Sequence, residues 1–182
     1  MGGALAIAIS RAGFEVESLV YRTARPAQKI VAAIEPPPEI IQFERINSLN
    51  SEIVLLTAVD TELPGIADQI APKIKSGSVL LHASGALSSD VLRSAASGGI
   101  ATGSIHPLVS VSDPVVGADN FSGAYFCLEG DESATAAARN ITAALGGNAF
   151  FIDKAFKPLY HASAVLASGH LVALISTAVK TL

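Results

Sequence analysis

Three of the four histidines stand where predicted elements end, and imidazole is the side chain best suited to moving protons near neutral pH. His82 follows an apolar strand and leads into Ser84 and Gly85. His106 ends the next strand, and His161 lies at the start of a long helix. Because ligands of an open α/β sheet bind at the carboxyl ends of its strands, we expect these side chains to share one site.

Other interpretations of these histidines remain open. A histidine taken alone is more often a structural residue than a catalyst, and His82 is expected to form a structural hydrogen bond to the neighbouring loop. A zinc site is not expected, because no H-x-x-x-H or C-x-x-C spacing accompanies the three residues. We favour His106 as the acid/base, since the following Pro107 fixes its backbone.

Short apolar segments that alternate with helical segments predict an α/β protein with a doubly wound sheet over residues 1–153. The predicted strands are 15–21, 40–43, 53–59, 78–82, 100–105, 124–128 and 149–152. The predicted helices are 25–34, 62–75, 89–96 and 132–145. One long helix is predicted from 157 to 182, so that residues 154–182 form the first helix of a truncated helical domain.

The N-terminal segment matches the end of a dinucleotide-binding turn, in which the last glycine of G-x-G-x-x-G lets a helix pack closely on the sheet. Gly2 can serve as that glycine, because apolar residues at helical spacing follow it up to Gly13. The first strand and the two earlier glycines are not in the sequence. We therefore expect a dinucleotide domain that is incomplete at its N-terminus and binds its cofactor poorly. The alternative is an ordinary amphipathic helix.

Arg22 directly follows the predicted strand at 15–21. At this place in a dinucleotide-binding domain an acidic residue would bind the ribose of NAD. An arginine there, supported by Thr23, can pair with the 2′-phosphate of NADP. A solvated arginine at the start of a helix is the alternative. The tip of the 53–59 strand would also border the cofactor through Val59 and Asp60, although Asp60 could instead cap the next helix.

Composition limits the partners and the compartment. A net charge of −4 gives no basic face for nucleic acid, and the single Cys127 permits no internal disulfide. Cys127 is expected to be a strand residue in a cytoplasmic protein. The mean hydropathy of +0.48, with only 15% charged residues, indicates that much of the surface is covered, either by a partner subunit or by missing chain.

The predicted C-terminal helix has no charged residue from Ala162 to Val179, nearly the length of a membrane span. Its polar residues argue against a membrane span and favour a helix buried between subunits, where small residues allow close packing. We therefore expect a homodimer and no membrane contact.

Five segments carry a resemblance to a known family: 1–13, Tyr21-Arg22, 82–85, 103–108 and 159–168. They resemble the Rossmann-like oxidoreductases whose C-terminal half is a domain of unknown function. That family is similar to pyrroline-5-carboxylate reductase, prephenate dehydrogenase, the 3-hydroxyacid dehydrogenases and the deazaflavin-dependent NADP reductases. The resemblance implies a Rossmann-type sheet, NADP binding, a small-molecule substrate and dimerisation through the helical domain.

The same resemblance implies roles for single residues. Ser84 corresponds to a serine that hydrogen-bonds the substrate, and His106 to a histidine that contacts the reacting hydroxyl. His161 is the alternative acid/base, near a helix position where hydroxyacid dehydrogenases have a lysine. His82 and Gly85 would border the cofactor. The chain departs from its relatives at Val59, where proline is common, and at Gly169, where asparagine is expected.

The predicted function is NADP-dependent hydride transfer to or from a small metabolite of the hydroxy acid or imine type. Two alternatives come from other classes. The first is a non-catalytic binding module that keeps the dinucleotide fold, and the second is a purely structural protein with a helical interface. A fold alone does not separate these three functions.

Overall fold

The computed structural model describes residues 1–181. The strands are β1 (Ser18–Tyr21), β2 (Glu39–Gln42), β3 (Ile53–Leu56), β4 (Val79–His82), β5 (Ala101–Pro107), β6 (Tyr125–Gly130) and β7 (Asn148–Phe151). The α-helices are α1 (Gly2–Arg11), α2 (Gln28–Val31), α3 (Leu63–Ile70), α4 (Arg93–Ser97), α5 (Glu132–Ala144), α6 (Lys157–Val165) and α7 (Leu171–Lys180). A π turn, Leu166–His170, joins α6 to α7.

The strands form two groups. β1 and β2 pair in parallel, and a separate five-stranded sheet has the order β3-β4-β5-β6-β7. β3, β4 and β5 are parallel to one another, so their carboxyl ends meet at one edge. With helices on both faces, this arrangement confirms the predicted α/β sheet of Rossmann type.

The direction of β6 differs from a purely parallel sheet. β6 runs antiparallel to β5, and β7 runs parallel to β6. A parallel neighbour needs a crossover that carries the chain back across the sheet. Here the linker holds a 3₁₀ turn, Val116–Phe121, and the Leu108 amide already donates to the Tyr125 carbonyl at 2.8 Å. The chain therefore re-enters the sheet at the end where β5 stops.

Apolar side chains of successive strand residues point to opposite faces, which builds two cores. Leu81 of β4 belongs to the core beneath α1 and α5, whereas Leu80 packs beneath α3 and α4. Both leucines are fully buried. The sheet is thus covered on both faces, as its apolar strands require.

Several predicted boundaries were too wide. The helix predicted at 25–34 is only Gln28–Val31, because Ala27 before it is extended and prolines follow at 36–38. The helix predicted at 62–75 ends at Ile70, since Pro72 has no amide hydrogen to continue it. The strands predicted at 15–21 and 53–59 shorten to Ser18–Tyr21 and Ile53–Leu56. Leu182, the last residue of the predicted C-terminal helix, lies outside the described residues.

Gly2 allows the first helix to approach the sheet closely. A Cβ atom on Gly2 would lie 2.3 Å from Thr57 Oγ1 and 3.0 Å from Thr57 Cβ, just beyond β3. Any larger residue would have to displace Thr57 or the helix. Gly13, with φ of +91°, then turns the chain from α1 towards β1.

We predict that Gly130→Ala destabilises the fold more than Gly77→Ala. Both glycines have positive φ, but a Cβ at Gly130 would lie 2.4 Å from Gly103 Cα, while nothing lies within 4 Å at Gly77. Backbone strain alone should cost about 1 kcal/mol at Gly77, and the added clash should raise the loss at Gly130 to about 2–4 kcal/mol. Urea denaturation measures both losses, and equal losses would contradict the prediction.

Candidate active site

Three side chains on one face of α6 reach the carboxyl ends of β4 and β5. Lys157, Tyr160 and His161 are spaced i, i+3 and i+4, which places them side by side on a helix. Pro158 stands in the first turn of α6, where its missing amide hydrogen costs nothing. α6 thereby brings C-terminal residues to the strand ends that carry His82 and His106.

His106 contacts both aromatic residues of this face. Its Nδ1 lies 2.8 Å from the Tyr160 hydroxyl, and the two rings meet edge to face with centroids 5.7 Å apart. The His161 ring is also edge to face, at 6.1 Å. Two histidines that are far apart in the sequence therefore share one site, as the strand-end pattern predicts.

Gly85 provides the space in which the two imidazoles converge. A Cβ atom on Gly85 would lie 2.6 Å from His161 Nδ1 and 2.7 Å from His106 Nε2. Only glycine leaves room for both rings at this point. His161 Nδ1 is buried and has no hydrogen-bond partner among residues 1–181. The two ring nitrogens thus converge on Gly85, and the space between them is too small for even one added carbon atom.

A fully buried lysine holds these elements together. Lys157 Nζ donates to the Ser84 carbonyl at 2.9 Å and to Ser104 Oγ at 3.1 Å. Ser104 Oγ donates in turn to the buried Glu129 carboxylate at 3.3 Å. That carboxylate also accepts hydrogen bonds from the amide and the hydroxyl of Ser89. One polar network therefore joins α6, β5, β6 and the segment after β4.

The buried position of His106 favours its neutral form. Burial, the Lys157 ammonium and His161 lower the pKa of His106 to about 4, and Asp60 opposes this only in part. Burial also lowers the pKa of Lys157. At neutral pH His106 is consequently an uncharged imidazole, with one nitrogen that donates and one that accepts.

His82 lies deeper than the other two histidines and is fully buried. Its Nδ1 accepts a hydrogen bond from the Ser84 amide at 3.1 Å, within its own loop. Burial and Lys157 lower its pKa to about 4, although the backbone of Ser88 has the opposite effect. Nε2 is left without a partner of good geometry. His82 thus shapes the loop that carries Gly85, and its ring is closed to solvent.

Ser84 uses its side chain to form a turn. Its hydroxyl oxygen accepts hydrogen bonds from the amides of Ala86 and Leu87, at 3.2 and 3.0 Å. The hydroxyl hydrogen remains to be donated, which is compatible with a bond to a substrate. The geometry therefore shows a loop-forming role for Ser84, and its contact with substrate stays a prediction.

The residues predicted to bind a cofactor lie along the edge that continues from this site. Arg22 Nη1 pairs with Glu62 Oε2 at 3.1 Å, and its guanidinium lies 5.4 Å from the centre of the Phe43 ring. Thr23 and Asp60 are exposed, as is 63% of Val59. The alternative of Asp60 as a helix cap is wrong, because neither α3 nor the 3₁₀ turn before it has a side-chain cap.

Two cavities lie away from the histidines. One of about 490 Å³ is bordered by Phe14, Glu52 and Val79, at the opposite ends of β3 and β4. Another of about 250 Å³ lies between α2 and Pro37. Neither is lined by His106 or His161, so the chemistry of the side chains rather than cavity size marks the site.

Sequence reasoning missed Lys157, Tyr160 and Glu129. Lys157 and Tyr160 could have been found from their helical spacing to His161, which puts all three on one face. Glu129 gave no such signal, because only the antiparallel pairing of β6 with β5 places it opposite Ser104. Cys127, expected to be a strand residue, is buried in β6 near Tyr160.

Comparisons with known proteins agree with this fold. Residues 1–107 match the family model of the Rossmann-like domain, and residues 124–182 match a domain of unknown function, DUF2520. Since the first match covers more than half of the chain, the protein belongs to the Rossmann-like domain family. The resemblance predicted from the sequence is confirmed. The second match begins at β6, and the predicted division at residue 153 stays a prediction. Curated protein sequences give no match.

Solved structures with the same fold include three enzymes or enzyme-like proteins. A Bacteroides fragilis protein described as an NADP oxidoreductase has a TM-score of 0.77 and 17% identity, with 99% of this chain and 67% of that chain covered. Prephenate dehydrogenase from Aquifex aeolicus has a TM-score of 0.70 and 12% identity, covering 100% and 68%. An imine reductase from Streptomyces aurantiacus has a TM-score of 0.70 and 21% identity, covering 94% and 60%. These similarities show the fold.

We predict that stability falls as the pH is lowered from about 6.5 to about 4. In that window the unfolded histidines take up protons, whereas His82 and His106 stay neutral in the fold because their pKa values are about 4. The unfolded state then binds more protons than the folded state. Lowering the pH therefore reduces the free energy of unfolding, by on the order of 1–3 kcal/mol per histidine. Urea denaturation across this range measures the slope. His82→Gln should reduce the slope, and the exposed His170→Gln should leave it unchanged.

Proposed function

We propose that the protein is an NADP-dependent oxidoreductase that transfers a hydride to or from a small metabolite of the hydroxy acid or imine type. The observation that carries this proposal is the convergence of His106 Nε2 and His161 Nδ1 above Gly85, beside the carboxyl ends of parallel strands. Ligands of open α/β sheets bind at those ends. Two proteins with this fold, one described as an NADP oxidoreductase and one as an imine reductase, support the reaction class.

The two imidazoles suit the proton transfer that must accompany hydride transfer. When a hydride adds to the carbon of a C=O or C=N group, the π electrons move to the oxygen or nitrogen, which then takes a proton. In the reverse direction that proton leaves as the hydride departs. In the oxidation direction an unprotonated imidazole nitrogen within hydrogen-bond reach of the heteroatom can accept that proton, and in the reduction direction a neutral imidazole N–H can hydrogen-bond to the negative heteroatom while solvent supplies the proton. We assign this role to His106, with His161 as the alternative.

Residues at the same edge fit a dinucleotide. When bound, the nicotinamide cofactor supplies or accepts the hydride. The amino end of α1 has free backbone amides that favour a pyrophosphate, and the missing Cβ of Gly2 allows its close packing beside Thr57. Arg22 directly follows β1, and its guanidinium lies between Glu62 and Phe43. At this position it would contact the 2′-phosphate of NADP.

We predict that the protein binds NADP more tightly than NAD, and that Arg22→Ala removes the difference. A hydrogen bond to a charged group contributes about 1.5–3 kcal/mol, which corresponds to roughly ten- to hundredfold in affinity. Glu62 competes with the phosphate for Arg22, so Glu62→Gln should increase NADP affinity and leave NAD affinity nearly unchanged. Calorimetric titration of both cofactors measures these effects. Equal affinities in the wild type would contradict the assignment.

We predict that His106→Asn lowers turnover by about 10²–10⁴-fold without weakening cofactor binding. The assay follows NADPH oxidation by the full-length protein across a panel of small oxo acids and cyclic imines. The matched control is His170→Asn, because His170 is exposed and remote on the C-terminal helix. Full activity in His106→Asn would move the role to His161. Cofactor binding without turnover of any compound would favour the non-catalytic binding module.

We also propose a cytoplasmic homodimer formed through the C-terminal helix. The helical stretch Lys154–Lys180 is long and apolar enough to cross a membrane, and none of its most apolar window is buried in the structure. Its serines, glycine and histidine argue for a subunit interface instead. The supporting observation is a row of exposed apolar side chains that includes Leu171, Leu174 and Ile175.

We predict that Leu174→Asp converts the dimer to a monomer, because a carboxylate in an apolar interface loses its hydration. Light scattering coupled to size exclusion gives the mass in solution. Val116→Asp is the matched control, since both side chains are 69% exposed but Val116 lies on the 3₁₀ turn before β6. A monomeric wild type would overturn the proposed dimer.

A further inference from the structure

The proposed function leaves the Tyr160 hydroxyl without a role, although it makes a close contact with the proposed acid/base. It lies 2.8 Å from His106 Nδ1, while the other ring nitrogen, Nε2, points towards the space above Gly85. The ring of Tyr160 is held in place by Phe150, with ring centres 5.8 Å apart. The tyrosine therefore contacts the side of the imidazole that faces away from the proposed ligand position.

The direction of this hydrogen bond follows from the chemistry of the two groups. Burial raises the pKa of Tyr160, as does the neighbouring Cys127, so the phenol keeps its hydrogen. Two possible acceptors lie near that hydrogen, the imidazole nitrogen and the Cys127 sulfur. A thiol sulfur is a weak acceptor, whereas an unprotonated imidazole nitrogen is a good one. Donation from the hydroxyl to Nδ1 is therefore favoured over the reverse arrangement, in which Nδ1–H donates to the phenol oxygen and the phenol hydrogen is left with only the weak thiol acceptor.

We propose that Tyr160 is a positioning residue that holds His106 in the tautomer with its hydrogen on Nε2. A neutral imidazole carries one hydrogen, so an accepting Nδ1 leaves it on Nε2. The atom that faces the space above Gly85 is then a hydrogen-bond donor. Tyr160 itself touches no ligand and acts only through His106.

This tautomer narrows the substrate class, an extension that rests on the proposed function. A donating Nε2 recognises an acceptor, which is a carbonyl oxygen or an unprotonated imine nitrogen. The free protein is thus prepared for the oxidised substrate, and the N–H group stabilises the negative charge that develops on the heteroatom as the hydride arrives. A protonated iminium, which is itself a donor, would be disfavoured.

Nuclear magnetic resonance of protein labelled with ¹⁵N-histidine tests the tautomer without cofactor or substrate. The chain has only four histidines, so the His106 signals are assigned by their loss in His106→Asn. We expect the wild type at pH 7 to show a protonated Nε2 and an accepting Nδ1. Tyr160→Phe removes only the hydroxyl and should reduce the ratio of the Nε2–H to the Nδ1–H form by about two- to tenfold, the equivalent of one hydrogen bond.

Tyr125→Phe is the matched control, because Tyr125 also packs against Phe150 but is 60% exposed, and the described residues show no hydrogen bond between its hydroxyl and His106. It should leave the His106 tautomer unchanged. A wild type with its hydrogen on Nδ1, or a ratio that is the same in Tyr160→Phe, would overturn the proposal.

If Tyr160→Phe does not fold, 3-fluorotyrosine at all three tyrosines gives a second test. It makes the hydroxyl a stronger donor and should raise the Nε2–H fraction, and a lower fraction would contradict the proposal.

The outcome is distinguishable from a failure of the proposed function. A protein with no turnover of any compound can still show the expected tautomer and its loss in Tyr160→Phe. Conversely, an active protein whose tautomer does not respond to Tyr160→Phe keeps the oxidoreductase assignment and loses the positioning role. In an active protein, Tyr160→Phe should lower kcat more than it alters cofactor affinity, because the hydroxyl lies behind the imidazole.

Discussion

The site depends on one buried amine. Lys157 has lost all contact with water, and a buried ammonium is tolerated only where polar partners replace its hydration. Its hydrogen bonds to Ser84 and Ser104 therefore fix the start of α6 against two strand ends. Because Tyr160 and His161 lie one turn further on, their positions follow from this anchor. Burial keeps His106 neutral, and the positive charge of Lys157 adds to this effect, so the anchor contributes to both the geometry and the electrostatics of the site.

The parts of the fold that could be predicted from sequence are those with local signals. Apolar runs marked the strands, and glycines marked helix ends, so β3 to β7 were found with small boundary errors. His82, His106 and His161 were placed together because parallel strands end at one edge and α6 returns to it. The sequence did not indicate the direction of β6, because an apolar strand has the same composition in either orientation.

The residues that were missed depend on contacts between distant segments. Lys157 was taken only as the first residue of a helix, and its burial follows from the way α6 lies over β5. Glu129 and Ser104 are 25 residues apart, and they meet only through the pairing of β5 with β6. Arg22 was identified from its place at a strand end. Its pairing with Glu62 could not be predicted, because it requires the loop after β3, which carries Glu62, to lie beside the end of β1. Such pairs are set by tertiary structure, which single-residue patterns do not encode.

The π turn at Leu166–His170 divides one helix into two surfaces. An extra residue in a turn rotates everything beyond it by about 100° relative to a regular helix. Before the turn, His161, Ala164 and Val165 are partly buried, and after it every described residue is exposed. The two halves consequently belong to different environments although they share one backbone. Substitutions beyond Leu166 can therefore adapt the helix to another surface while the angle at which Tyr160 and His161 meet the strand ends is preserved.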